Sequence, residues 1–357
     1  MGQLFEVNRK DLSQGRLVER DAAALEDGQV RARIERFSFT ANNMTYGAVG
    51  DLIGYWHFFP ASEEGWGVIP VWSVAEIVES RHSDFPTGER VYGYFPPADE
   101  LVMQPGEVRA TGFVDMMPHR QVLPPLYNRY QRIGPSDPTA ENVRVLLAPL
   151  HMTSFCLHDA LHRENFHDAT QVLIASASSK TSLGLAFGLH RDDGGPAVVG
   201  LTSAGNVGFV EATGLYDQVV TYDDLDALAD KPSVLVDMAG NRSLVSSLNA
   251  RLGDQLVHRI NVGMTHWAEG TGSDEGGDKS SGEENFFFAP SYILERIKEW
   301  GPAEFDRRAQ DYVAAAANAT FGWMEIDERK GLGALAEAYP AFVEGSWPPD
   351  KGLVITL

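Results

Sequence analysis

Residues 172–189, VLIASASSKTSLGLAFGL, set four serines, a lysine and a threonine in the short turn between an apolar run and a helix-like stretch. The chemistry open to such a turn is phosphate binding. At a helix start the first backbone N–H groups lack partners within the helix and carry the positive end of its dipole. Glycines usually make this turn tight and let a pyrophosphate approach. Here Ser176, Ser178, Ser179 and Ser182 keep the side chains small and add hydroxyl donors, while Lys180 and Thr181 add a charge and a further hydroxyl. The same residue types also cap an ordinary helix well. Taken alone, the loop reads either as a nucleotide cradle or as a capped helix start.

SSKTS is similar to the end of a phosphate-loop NTPase motif, but Ile174 and Ser179 stand where that motif has glycines. A bulky Ile at the first of these positions leaves no room to wrap a phosphate. The next apolar run discriminates among dinucleotides. An NAD site places Asp or Glu about 20 residues beyond the glycine motif, on the ribose hydroxyls. GLTSAGN (200–206) has no acid, and Thr202, Ser203 and Asn206 suit a 2′-phosphate, with Lys180 to help. The expected cofactor is therefore NADP. Gly240, at the end of SVLVDMAG, joins the cofactor candidates, whereas Asp237 reads as a cap or turn acid.

These residues need elements to hold them. Residues 1–140 read as β-rich: GQVRARIERFSFT (28–40) and WSVAEIVES (72–80) carry strand patterns, and FPTGERVYGYF (85–95) is a turn entering a strand. Short strands between Gly/Pro turns suggest a small barrel-like domain. From about 145 the rhythm changes. Leu150, Thr153, Ser154, Leu157 and Leu161 recur at helical intervals, and four short apolar runs follow at 171–176, 197–202, 218–222 and 233–240, with a fifth at 256–263. Strand and helix alternating at this spacing predicts an α/β doubly wound parallel sheet, its strands apolar throughout because both faces are covered. Residues 268–285 are Gly, Ser and acid and read as a loop or linker. Residues 291–319 read as helical, and the sequence closes on the strand GLVITL.

Composition narrows the partners. A formal charge of −21 over 357 residues repels nucleic acid and anionic lipid, so neither is expected. No apolar run reaches the roughly 20 residues of a membrane span. The first residues show no secretory pattern, and the single cysteine, Cys156, precludes an internal disulfide and a cysteine-rich zinc site. The expected compartment is the cytoplasm.

The order of these segments resembles the medium-chain dehydrogenase/reductase superfamily, in its zinc-free quinone-reductase-like branch. LEDGQVRARIERFSFTANNMTYG (25–47) is similar to the family's opening strands and active-site segment, and VAEIVESRHSDFPTGERVYGYF (74–95) to its strand-turn-strand signature. VLIASASSKTSLG falls at the cofactor loop, and YDQVVTYDDL and VLVDMAGNRSL at the third and fourth sheet strands. The resemblance implies a Rossmann sheet inserted in a GroES-like β-rich domain: residues 1–140 the GroES-like catalytic part, 141–290 the cofactor domain, 291–357 the return. It also implies departures. Thr40 stands near the place of the zinc-ligating Cys, VIPVWSV (68–74) replaces Gly-His-Glu, and Ser176, Ser179, Lys180 and Ser182 occupy the glycine positions. No metal is expected, and the chain sits in an atypical bacterial subgroup.

Without zinc, hydride transfer needs a proton donor or hydrogen-bonding electrophile. By the resemblance, the active-site segment supplies it: Tyr46 as donor, Asn43 orienting a carbonyl, Thr40 beside them. NNMTYG equally suits a simple turn. The aromatics of DLIGYWHFFPASEEGWG (51–67) either line an apolar pocket or, slightly favoured, fill their own core. His151 and His266 read as structural. The implied function is an NADP-dependent reductase of an apolar or aromatic small molecule (a carbonyl, enone or quinone), with a homodimer in keeping with the family. A lyase or hydratase on the same fold, and a nucleotide-binding sensor, remain alternatives.

Overall fold

Val172, Leu173, Ile174 and Ala175 are buried without exception, yet they go to opposite sides. Val172 and Ile174 pack with Leu157, Leu161, Leu185 and Leu189, whereas Leu173 and Ala175 pack with Leu244, Val245, Leu248 and Leu252. A strand covered on both faces has no use for polar alternation, which is why these runs are continuously apolar. In the computed structural model, which describes residues 2–48, 50–121, 125–238, 240–262 and 286–357, they form a six-stranded sheet. Its strands are β1 (Gln171–Ala175), β2 (Ala197–Thr202), β3 (Gln218–Thr221), β4 (Ser233–Asp237), β5 (Leu256–Val262) and β6 (Phe286–Phe287). All pair in parallel, in the order β3-β2-β1-β4-β5-β6. That is the order of a dinucleotide-binding sheet, which reverses direction between β1 and β4. The helices around it are α1 (Ala148–Arg163), α2 (Lys180–His190), α3 (Val207–Ala212), α4 (Arg242–Leu252), α5 (Ala289–Trp300) and α6 (Pro302–Thr320). His266 and the acidic stretch 268–285 lie outside the described residues.

The chain divides into two compact units, Met1–Leu146 with Ile326–Leu357, and Leu147–Glu325. The parallel unit thus extends to Glu325, beyond the boundary expected at 290. The cause is packing: the Phe155 ring of α1 lies 5.8 Å from Phe305 and 5.5 Å from Tyr312, both on α6. Helices α5 and α6 therefore belong with α1 and not with the return strands.

In the other unit, strand Val30–Phe39 pairs antiparallel with Val71–Ser80 and with the late strand Lys351–Thr356, Leu353 opposite Phe39. The GLVITL segment so closes the β-rich unit that the opening strands began. A three-stranded sheet, Asp11–Arg20, Gly2–Asn8 and Trp66–Gly67, stands beside the larger one. No described helix is long and apolar enough to cross a membrane.

Among the described residues, one ion pair lies wholly inside this unit. Arg120 and Asp115 are each 1% exposed and meet at 2.8 Å. The guanidinium also donates to the Tyr130 hydroxyl at 2.6 Å and the Tyr127 carbonyl at 2.8 Å, and its face covers Phe59. Asp115 accepts further hydrogen bonds from the amides of Gln104 and Met117. Removing one partner of such a pair strands a charge in the interior, at a cost of about 3–5 kcal/mol. Asp115→Ala should lose that much in a denaturant-unfolding measurement; a loss under about 1 kcal/mol, the range of an exposed pair, would show that the pair is not supporting the unit.

Candidate functional site

The turn between β1 and α2 is where glycine would ordinarily stand, and it is held shut by serine hydroxyls. Ser176 has a φ of +54°, in the left-handed region. For a residue with a Cβ that conformation costs about 1–2 kcal/mol, so surrounding contacts must hold it. Its N–H donates to the Tyr222 hydroxyl at 3.0 Å, and its carbonyl accepts from the Ser179 amide at 2.8 Å. The Tyr216 hydroxyl fixes the next residue by donating to the Ala177 carbonyl at 2.8 Å. Ser179 is the N-cap of α2. Its Oγ accepts from the Ser182 amide at 3.1 Å and donates to Ser182 Oγ at 2.8 Å, and Ser182 Oγ in turn donates to the Ala175 carbonyl at 3.1 Å.

This relay sorts the candidates by what they have left to offer. Ser182 is fully buried and spent on the strand end. Ser178, Ser179, Lys180 and Thr181 are partly exposed at the first turn of α2. Ser178 Oγ accepts from the Asn206 side chain at 3.1 Å, which leaves its own proton to donate. Ser203, the N-cap of the turn after β2, is exposed. Thr202 is only 1% exposed, so the expectation that it meets a 2′-phosphate is corrected: the last residue of β2 is a core residue, and the surface begins at Ser203. Gly240, past the end of β4, donates its N–H to Asp237 Oδ1 at 2.9 Å. Asp237 is thereby a turn acid, 1% exposed, as its sequence context suggests. His151 is completely buried, and burial lowers its pKa to about 4, so its ring is neutral near pH 7.

In the β-rich unit the segment ANNMTYGA forms a helix, Ala41–Ala48, where a turn was the alternative. The physical reason is a cap. The Asn43 side-chain oxygen accepts from the Thr40 amide at 2.8 Å and the Thr40 hydroxyl at 3.0 Å, and its Nδ2 donates to the Pro70 carbonyl at 2.8 Å. This is the back-bonding half of a capping box, in which a side chain three residues on holds the residue before the helix. Asn43 is 5% exposed, and Thr40 is its partner, so both are occupied in holding the segment.

Tyr46 lies one turn further along. Asn42 Nδ2 donates to its hydroxyl at 2.7 Å. Its ring stands 4.8 Å from Tyr55 and 5.9 Å from Tyr94, within an aromatic group that also includes Phe58, Trp72 and Tyr127. Burial pushes the phenol above its ordinary pKa, so at neutral pH it is a donor and never a base. The aromatics of 51–67 fill this core: Tyr55, Phe58 and Phe59 are 3%, 0% and 2% exposed. His57 is exposed, and Trp66 carries the Arg16 guanidinium 3.8 Å above its ring. Sequence reasoning missed the cap function of Asn43, although T-x-x-N ahead of a helix is a readable sign of it.

Comparison with solved structures returns one fold. CurA from Vibrio vulnificus in complex with NADPH superposes with a TM-score of 0.58 at 13% identity, covering 99% of this chain and 98% of that one. The quinone oxidoreductase of Pseudomonas syringae pv. Tomato DC3000 gives 0.57 at 12% identity, covering 99% and 100%. Mycobacterial Rv1454c complexed with NADPH gives 0.56 at 14% identity, covering 100% of both chains. At these identities the likeness is one of fold: a GroES-like β-rich part and a Rossmann sheet. The sequence matches no curated protein. Residues 37–348 match the model of one family, described as "Protein of unknown function (DUF2855)". The protein belongs to the DUF2855 family, and its fold is that of the solved CurA and quinone oxidoreductase structures it superposes on.

Proposed function

We propose that the protein is a zinc-independent, NADP-dependent oxidoreductase that reduces an apolar carbonyl, enone or quinone. The observation that carries the reading is the sheet order β3-β2-β1-β4-β5-β6, with a left-handed turn and an eleven-residue helix directly after β1. In such sheets a dinucleotide lies across the carboxyl ends of the strands where the order reverses, with its pyrophosphate at the helix start. The residues present fit that group. Ser178, Lys180 and Thr181 would meet its phosphates, with Ser179 spent on capping the helix beneath them, and Ser203, in place of an acid, would receive a 2′-phosphate. Ser176 and Gly240 shape the two turns at the reversal point. Support comes also from solved relatives of this fold that hold NADPH.

The bound dinucleotide would supply a hydride. The chain's own contribution is a proton donor and a dry surface. The Tyr46 hydroxyl accepts from Asn42 and keeps its proton for an outside acceptor, and the raised pKa keeps that proton in place through neutral pH. Asn42 is a positioning residue in this scheme. Asn43 and Thr40 hold the segment. Zinc independence rests on Thr40 and on VIPVWSV, which offer no thiolate or imidazole at the two places where zinc-dependent relatives carry them.

Two measurements bear on this. Titration with NADPH, followed by nicotinamide fluorescence, should show saturable binding, and Lys180→Ala should weaken NADPH about tenfold more than NADH, the worth of one charge-assisted hydrogen bond. Failure to bind either nucleotide at millimolar concentration would overturn the reductase, and equal losses would remove Lys180 from the 2′-phosphate. With an enone or quinone substrate, Tyr46→Phe should lower kcat by about 10²–10⁴. Because the phenol titrates above its ordinary value, the wild-type rate should show no Tyr46-linked loss up to about pH 10. An unchanged rate in Tyr46→Phe would remove it as donor.

A further inference from the structure

Apart from the cofactor loop, the second unit gathers three metal-ligating side chains that the proposed reaction does not use. His158 and His162 stand one turn apart on α1, and Asp192 follows the end of α2. Both imidazoles converge on a single atom: His158 Nε2 is 3.0 Å and His162 Nε2 2.7 Å from Asp192 Oδ2. The ligand atoms of the three lie within 4.8 Å of one another. They border a cavity of about 640 Å³, with Phe155, Trp300 and Tyr312 among its other walls.

We propose that His158, His162 and Asp192 bind a divalent transition-metal ion of the zinc class, whose remaining positions open onto this cavity. Two imidazole nitrogens and one carboxylate oxygen are a donor set suited to such ions. Residues at i and i+4 share a helix face, so α1 presents both rings to the same point. Ligand atoms around a tetrahedral zinc at about 2.0–2.1 Å are roughly 3.3 Å apart. The two nitrogen–oxygen separations would have to grow by about 0.3 and 0.6 Å, and the two nitrogens, within 4.8 Å of one another, to settle at the same spacing. With no ion, two imidazoles must share one oxygen; an ion between them gives each its own bond.

The surroundings permit a cation. Arg307 and Arg308 also line the cavity, but Glu304 pairs with both and Asp311 with Arg307, and Arg308 lies 4.2 Å over the Trp300 ring. Arg191 stacks on Phe187. Asp159, also on the wall, is paired with Arg296 at 2.8 Å and so adds no net charge there. His158, His162 and Asp192 side chains are 19%, 44% and 21% exposed, enough for an ion to enter from solvent. This site runs against the sequence expectation of no metal, which weighed the active-site segment and the missing cysteines but not the histidine pair of α1.

The test uses the untagged full-length chain, stripped with chelator and titrated with Co²⁺ under a visible spectrometer, then with Zn²⁺ as competitor. The expected result is one Co²⁺ per chain, displaced by Zn²⁺, with d–d bands and no thiolate charge transfer. His162→Gln and Asp192→Asn, with unchanged far-ultraviolet dichroism, should each weaken uptake at least about tenfold. His258→Gln, which alters the other close histidine pair (ring centroids 3.7 Å from His167), should leave uptake as it was. No stoichiometric uptake, uptake indifferent to both ligand variants, or uptake lost in His258→Gln would overturn the site. If either ligand variant loses its fold, diethylpyrocarbonate labelling of the wild-type chain decides. Zn²⁺ should protect His158 and His162, and equal labelling with and without Zn²⁺ would equally overturn the proposal.

Discussion

A turn without glycine between the first strand and its helix must be held by side chains, and much of the second unit is arranged to hold it. Ser176 is kept left-handed by Tyr222 from the end of β3, Ala177 by Tyr216, and Ser178 by Asn206 from the turn after β2. The loop is therefore fastened to two neighbouring strands as well as to its own helix. A glycine loop gets its shape from backbone freedom, and its amides stay open to a ligand. A serine loop gets its shape from hydrogen bonds, and some of its polar groups are consumed in making it. Which hydroxyls are left over is thus the central chemical fact about the site.

The same logic governs the β-rich unit. Asn43 lies in the segment that resembles an active site, and its type suits a carbonyl. Its geometry gives it to Thr40 and Pro70, with 5% of its surface left. What it contributes is a rigid first turn, on which Asn42 and Tyr46 stand at i and i+4 and reach one another. A donor whose hydroxyl is fixed by one amide and whose ring is set among other aromatics has few orientations to choose from. That economy of motion is what would let a single tyrosine serve as the donor in the proposed reduction.

The parallel sheet was legible because its physics leaves an unmistakable mark: five continuously apolar runs parted by helix-length stretches, as strands buried on both faces require. The return of the last strand beside Val30–Phe39 was legible only through the resemblance, since no local pattern couples residues so far apart. The misreadings share a cause. Residues 291–319 show helical periodicity, but periodicity does not say which unit a helix packs on, and the Phe155–Phe305 and Phe155–Tyr312 contacts decide it. Thr202 has the right chemistry one residue too early, inside the strand. For NNMTYG a turn was one of two open alternatives, and a cap three residues apart makes the segment a helix instead. His158 and His162 are visibly i and i+4, but Asp192 joins them only through the packing of α1 on α2.

That packing shows where the glycines missing from the loop are used. Gly184 and Gly188 lie four residues apart, on one face of α2. A Cβ at Gly184 would come within 2.5 Å of Ser154 Oγ and 2.7 Å of the His151 ring, and one at Gly188 within 2.4 Å of the Tyr312 hydroxyl and 2.9 Å of the His158 ring. Bare backbone at these two positions lets α1 and α6 close on α2, and Tyr312 fixes the approach by donating to the Gly184 carbonyl at 2.7 Å. The close approach has consequences at both ends of α2. At its start, Ser154 of α1 donates to the Thr181 carbonyl at 2.8 Å and steadies the first turn beside the proposed phosphate site. At its end, Asp192 is brought against His158 and His162. Small residues therefore act one to three turns away from where a nucleotide motif would place them, and one helix–helix contact both steadies the helix start beside the serine loop and assembles the histidine cluster.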